Sequence, residues 1–461
     1  VDCGGIKAPY APPTKPRAGE QETEDAGRDE PESTTRRCQL ADSVYGAALV
    51  PASMAAIGLP DRILSSSDRM SPPSAQALAA RASVAGSSGL AVRPTHVQVD
   101  LARLEANLRV LQAHVGASVA VMPILKANAY GHGLVPVACH LERAGASAIG
   151  VAYLEEGLLL RKADVTCPVL VLGGIVDEQI PAYLEHDLSL TAPSVAKLRA
   201  IDRVAAAMHT RAHVHLKVDT GMHRIGVRWS SAEALLRAAS DCENILLEGI
   251  FSHFANSDAA DLAHARRQLD RFEQVLLQAQ RLGLRPRWRH MANSAGMLAM
   301  PRSHFDLVRP GIALFGVAPS SDVALLPGLR PALRWMSRVV YFKVLEPGSG
   351  VSYGSTWAPD HRTRVVTVPV GYGDGYFRAL SSRSHVVLRG RRHPVVGRVC
   401  MDQLLVDIGW DSAWNGDPVV LLGEGEGQSV TAEELAELAG TIPYEVLTNI
   451  NTRVPRVYTG G

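Results

Sequence analysis

Short apolar runs alternate with amphipathic stretches over roughly 220 residues, and this repetition restricts the fold more than any other feature of the chain. It begins near Val97. Leu101, Leu104, Leu108, Leu111 and Val115 recur at helical spacing, with Asp100 placed to cap the helix N-terminus. Strands are then expected over 119–125, 148–152, 169–172, 188–191, 213–218, 246–252 and 287–291. Helices are expected over 134–144, 154–162, 194–208 and 262–282. The pattern predicts a (β/α)8 barrel; a doubly wound sheet gives the same alternation, so periodicity alone leaves that choice open.

After about Leu325 the helical pattern nearly vanishes. Runs over 339–344, 364–369, 385–388, 395–399, 404–408 and 419–422 read as strands between Gly-rich turns. One helix, over 431–439, is announced by a capping box of Thr431 and Glu434. The expected organisation is α/β: a TIM barrel over 94–325, a hinge over 325–334 and a mostly β domain over 326–461. Residues 1–93 differ in texture, being rich in Pro, Ser, Ala and Gly with an acidic run from Glu20 to Glu32. Such a segment buries too little apolar surface to offset its ordering entropy and is expected to be disordered. An over-extended gene start is expected here, with Met54 or Met70 nearer the true one; the mass of the native N-terminus checks it.

Composition narrows the class. A net charge of +1 offers no basic surface for nucleic acid or an anionic membrane. The longest apolar run, near residues 46–60, contains Pro51 and is too short to span a bilayer. Cys3, Cys38, Cys139, Cys167, Cys242 and Cys400 show no C-x-x-C spacing, so neither a zinc site nor a disulfide framework is expected. The chain reads as a cytoplasmic enzyme without a metal.

The chemistry concentrates in a few strings. In Leu125-Lys126-Ala127-Asn128-Ala129-Tyr130-Gly131-His132-Gly133, a lysine stands where an apolar strand gives way to a Gly-rich loop. At a barrel mouth such a lysine is partly desolvated, its pKa falls, and it can form a Schiff base. An isolated lysine there would more simply snorkel. Downstream, His215-Leu216-Lys217-Val218-Asp219-Thr220-Gly221-Met222-His223-Arg224-Ile225-Gly226 sets Lys217 and Asp219 on one strand face. Taken alone, they read as a surface ion pair. Phe251-Ser252-His253-Phe254, Leu307-Val308-Arg309-Pro310-Gly311-Ile312, Val351-Ser352-Tyr353-Gly354 and Gly397-Arg398-Val399-Cys400-Met401-Asp402-Gln403 follow in order.

The first of these strings resembles the pyridoxal-phosphate attachment motif of the alanine racemases, and the resemblance runs from about Val97 to Tyr458. It implies that Lys126 holds pyridoxal 5'-phosphate covalently. Tyr130, Asn293, Ser294, Gly311, Ile312 and Tyr444 would then surround the phosphate. His253 would lie against the pyridine ring, and Arg309 would face the ring nitrogen. Arg224 would contact the phenolic oxygen and the substrate carboxylate, steadied by a carbamylated Lys217. The β domain would supply Tyr353 as second base, the Met401 N–H for the substrate carboxylate, and Asp402 near the entrance.

That assignment implies a two-base racemase acting on alanine. Two fixed bases on opposite faces of the substrate, Lys126 and Tyr353, avoid a swing of one base across it. An arginine at the ring nitrogen can only donate, so the ring stays unprotonated and the carbanion less delocalised, which disfavours transamination. The family also implies a homodimer sharing its sites and D-alanine made for peptidoglycan. A racemase of broader amino-acid specificity is the first alternative. A non-catalytic pyridoxal-phosphate carrier is a second, and a barrel-type decarboxylase, which would keep an acid at the Arg309 position, a third. Gly373, where alanine is frequent in the family, and Arg334-Trp335-Met336 depart from its commoner pattern and bear on packing only.

Overall fold

The computed structural model describes residues 93–461; the readings for residues 1–92, including the disorder and the later start, lie outside the described residues. Eight parallel strands close a barrel: Ala120–Val121, Ile149–Val151, Val169–Val171, Leu190–Ala192, Ala212–Asp219, Ile245–Phe251, Trp288–His290 and Leu307–Val308. Single parallel bridges, Ile124 to Gly150 and Leu170 to Ser189, close the gaps in the ladder. The last strand pairs with both its predecessor and the first, so the sheet has no edge. The alternation therefore resolves to the barrel.

Differences from the sequence expectation have local causes. The apolar run 119–125 contributes only Ala120–Val121 to the regular ladder, because Pro123 has no N–H to give. Leu307–Val308, two residues long, is too short for any periodicity to announce it. By contrast, the helix Leu154–Lys162 occupies the expected span. The long helix Ala263–Arg281 buries Ala265, Leu269, Phe272, Val275 and Ala279 against the barrel at the spacing an amphipathic helix requires. Asp100 caps the first helix, accepting from the Arg103 N–H at 3.0 Å.

Beyond the barrel, a 10-stranded sheet carries most of the remaining chain. The stretch read as a hinge already contains the start of a strand, Leu333–Arg338, with Leu333, Trp335 and Ser337 buried. His96–Asp100, at the start of the described chain, belongs to this sheet as well: it pairs antiparallel with Leu333–Arg338 and parallel with Arg456–Thr459. The Thr431 cap forms, its Oγ1 accepting from the Glu434 N–H at 3.1 Å. The other half of the expected box does not, because the Glu434 carboxylate is taken by the Arg392 guanidinium. Among the described residues no helix is long and apolar enough to cross a membrane.

Candidate active site

Lys126, His253, Asn293, Ser294 and Arg309 each follow the C-terminal end of a barrel strand, and Lys217 lies within one. All of them line a cavity of about 490 Å³ together with Tyr130, Arg224, Gly311, Ile312 and Tyr444. A groove of about 560 Å³ beside the helix Ala263–Arg281 is larger, but no lysine or histidine lines it. The mouth cavity is distinguished by its charge. Lys126, Lys217, Arg224 and Arg309 face it, and no aspartate or glutamate lines it.

Lys126 begins a turn of unusual hand. Ala127, Asn128, Ala129 and Tyr130 follow it with φ of 53°, 56°, 53° and 52°. Each such residue costs about 1–2 kcal/mol relative to the right-handed form, so the surroundings must impose the conformation. Glu156 does so: its carboxylate accepts from the Ala127 N–H at 2.7 Å and the Ala152 N–H at 2.8 Å. Asn128 Oδ1 accepts from the Leu134 N–H at 2.8 Å and ties the turn to the next helix. Burial, with the Arg224 guanidinium adding to it, lowers the Lys126 pKa against the opposing Glu156 carboxylate. A larger share of uncharged amine, the nucleophilic form, results.

Lys217 is 5% exposed and does not form the surface pair with Asp219 that isolated reading suggests. Asp219 instead accepts from the N–H groups of Gly221, Met222 and His223 at 2.9–3.1 Å, folding the loop that carries Arg224. Burial first, then Arg309 and Arg224, push the Lys217 pKa well down.

Arg309 is nearly as buried, at 3% exposure. Its guanidinium donates to His290 Nδ1 at 2.7 Å, to the Ser252 carbonyl at 2.8 Å and to His253 Nδ1 at 3.1 Å. Burial lowers its pKa to about 9, so it is still charged near neutrality. Because His253 Nδ1 accepts, a neutral His253 carries its proton on Nε2. Burial and the Arg309 charge hold the His253 pKa well below the usual imidazole value.

At the other end of the cavity, Asn293 Oδ1 caps a short helix through the Gly296 N–H at 2.8 Å. Ser294 Oγ accepts from the Gly311 N–H at 2.9 Å, so here that N–H is turned toward the serine. The Gly311 backbone approaches so closely that an added Cβ would stand 2.3 Å from the Tyr130 hydroxyl. The Tyr130 and Tyr444 rings lie 6.0 Å apart.

Tyr353, Met401 and Asp402 are not among the residues lining this cavity. Tyr353 is 70% exposed and Met401 53%. Their two strings do meet each other: the Ser352 hydroxyl donates to the Arg398 carbonyl at 2.6 Å. Arg453 fixes Asp402 at 2.6 Å and also donates to the buried Asp374 at 2.7 Å. Glu156, His215, Glu248 and His290 were not singled out from the sequence. Glu248 is one polar residue in an apolar run and the other three sit among further polar residues, patterns that carry no signal without their neighbours in space.

A closed parallel barrel with a desolvated lysine and an all-cationic cavity at its mouth defines a barrel enzyme built to hold anionic groups. The alanine racemase N-terminal domain family matches residues 99–319, and the alanine racemase C-terminal domain family matches residues 332–458. The chain belongs to the alanine racemase family, whose members are isomerases. It is 44% identical over 370 residues to an alanine racemase of Symbiobacterium thermophilum, spanning 80% of this chain and 98% of that protein. The crystal structure of alanine racemase from D-cycloserine-producing Streptomyces lavendulae is 37% identical with a TM-score of 0.77, covering 81% of this chain and 98% of that one. A Bartonella henselae alanine racemase, solved with covalently bound pyridoxal phosphate, is 28% identical with a TM-score of 0.72, covering 80% of this chain and all of that one (100%).

Proposed function

We propose that this chain interconverts L- and D-alanine with pyridoxal phosphate attached at Lys126, in a cytoplasmic homodimer that supplies D-alanine for peptidoglycan. The observation that carries this reading is the cavity lining, in which Lys217, Arg224 and Arg309 and no carboxylate surround the desolvated Lys126. That donor set suits a group with a phosphate at one end and an anionic substrate at the other. When bound, the cofactor supplies the electron sink that acidifies the substrate Cα–H.

The chain's residues divide the remaining work. Tyr130, Asn293, Ser294, Ile312 and Tyr444, with the close backbone of Gly311, hold the phosphate. Arg224 and the Met401 N–H hold the substrate carboxylate, with Asp402 near the entrance, and Lys217 steadies Arg224. Arg309, a donor still charged near neutrality, would serve the ring nitrogen, and His253 would serve the ring. Lys126 takes or returns the Cα proton on one face, and the Tyr353 hydroxyl serves the other. Since Tyr353 is exposed and away from its own chain's cavity, a second copy is assigned to deliver it, along with Met401 and Asp402. The same reading divides the chain into a barrel over 94–325 and a β domain over 326–461, to whose sheet the strand His96–Asp100 is added.

Racemisation of L-alanine followed by circular dichroism, alongside other L-amino acids and the absorbance of the lysine-bound cofactor, tests it. Activity confined to alanine together with the cofactor band supports the reading. Equal rates on several amino acids would replace alanine with a broader substrate range, and the band without any racemisation would sink the enzymatic assignment.

A further inference from the structure

We propose that Glu248 is a positioning residue for Arg309, acting across the barrel interior through His215 and His290; this rests on the reading of Arg309 as the group facing the cofactor ring. Side-chain hydrogen bonds connect the four without a gap. Arg309 meets His290 Nδ1 at 2.7 Å, His290 Nε2 meets His215 Nδ1 at 2.9 Å, and His215 Nε2 meets Glu248 Oε2 at 3.1 Å. Both imidazoles are fully buried and Glu248 is 7% exposed.

The chemistry of the two ends fixes every proton between them. A guanidinium only donates, so His290 Nδ1 must offer a lone pair and His290 carries its proton on Nε2. That proton is donated to His215 Nδ1, which leaves His215 protonated on Nε2. The His215 Nε2–H is donated in turn to the Glu248 carboxylate, which only accepts. Protonating either imidazole a second time would set two donors face to face or leave His290 with no proton at all. Burial acts in the same direction, holding both histidines below the usual imidazole pKa. The line thus runs one way, from a buried cation to a buried anion, with two neutral rings between.

This separation answers a conflict in the site. A buried guanidinium needs a compensating carboxylate, yet a carboxylate in the cavity would repel the anionic groups it holds. Glu248 provides the charge from inside the barrel, and the relay conveys it by polarising each bond in the line. The backbone is shaped for the relay: a Cβ on Gly249 would stand 2.2 Å from His215 Nδ1, so only glycine leaves room for that ring. Glu248 is itself held by the Ser189 hydroxyl at 2.5 Å, and half-buried His213 lies 3.5 Å from its other oxygen.

The test uses cofactor-loaded protein labelled with 15N-histidine. In the wild type, His215 and His290 are expected as neutral Nε2–H tautomers across neutral pH; finding His290 protonated on Nδ1 overturns the proposal without any variant. Glu248→Gln keeps the shape and removes the charge. It is expected to mix the tautomers of both histidines, to shift the cofactor absorbance and to lower kcat about tenfold, the loss of one charge-assisted hydrogen bond's strength, with KM for alanine little changed. Gly249→Ala, which displaces His215 without touching an ionisable group, is expected to give the same signature. If either folded variant keeps the wild-type tautomers and kcat, Glu248 does not position Arg309. If the wild type shows the tautomers but racemises nothing, the relay stands and the functional reading fails.

Discussion

The Lys217 ammonium lies 4.3 Å from the centroid of the Phe251 ring, with Arg309, Arg224 and Asp219 as its charged neighbours and no hydrogen-bonded carboxylate among the described residues. A lysine beside two arginines is costly to keep protonated, and its lowered pKa favours the free amine, whose lone pair attacks carbon dioxide and releases a proton as the carbamate forms. Carbamylation would convert a third repelling cation into an anion between two guanidiniums. Protein incubated with 13C-bicarbonate is expected to show a bound carbamate resonance that Lys217→Ala lacks. An identical spectrum from both proteins rules the modification out.

The exposure of Tyr353 leads to a complementation experiment. Lys126→Ala and Tyr353→Phe are each expected to lose about a hundredfold or more of racemase activity, the usual scale for a missing acid–base group. Mixed and allowed to exchange subunits, they should regain activity well above either alone, because a hybrid dimer holds one site with both groups intact. A mixture no more active than its parts places Lys126 and Tyr353 in the same chain's site.

Glu156 supports the left-handed turn after Lys126 by accepting the Ala127 N–H within it and anchoring on the Ala152 N–H of the neighbouring strand end. Glu156→Ala leaves both donors short of a partner, at about 1–3 kcal/mol each. The expected outcome is a lower Tm together with weaker cofactor retention, measured by absorbance after dialysis. A variant that is merely less stable but retains the cofactor as wild type does would separate Glu156 from the turn's function.

Gly311 makes a separate prediction about the end of the cavity proposed to hold the phosphate. A methyl group there would meet the Tyr130 hydroxyl at 2.3 Å, so Gly311→Ala should weaken cofactor binding about tenfold with the fold intact, a cost on the scale of modest overpacking. Adding Tyr130→Phe removes the oxygen in the way. Cofactor titration of the double variant should recover part of the loss, whereas an additive loss would show that the hydroxyl matters more as a phosphate contact than as an obstacle.

Acid sensitivity is expected from Asp374, which is fully buried and receives Arg93 at 2.7 and 3.1 Å and Arg453 at 2.7 Å. Burial raises its pKa, but the hydrogen bonds from Arg93 and Arg453 outweigh it and hold the carboxyl below its ordinary value. The folded pKa is depressed, so this contribution to stability is complete above the unfolded aspartate value, about pH 4, and is lost as pH falls through the folded one. Asp374→Asn should cost about 2 kcal/mol at pH 7, below a fully buried pair because both guanidiniums are partly solvated. In thermal melts the deficit should shrink toward acid pH; a constant deficit would assign the effect to packing.

The strand–helix alternation and the strings at the barrel mouth were legible in the sequence because both are local, whereas periodicity alone left closure of the sheet open. Helical spacing from Leu101 to Val115 and the Lys126 string are written in consecutive residues, and the order of the strings is enough to imply a family. What lay beyond that reading depends on distance. Nothing in Ile245–Phe251 reveals that Glu248 reaches His215, since the two are brought side by side only when their strands pair. Nor does the run 333–338 reveal that its neighbour in the sheet is His96–Asp100, more than two hundred residues earlier. Sequence determines which side chains are available and on which face of each element they stand. Only the closed barrel decides which of them are desolvated together, and burial in shared low-dielectric space is what turns Lys126, Lys217 and Arg309 from ordinary cations into a site.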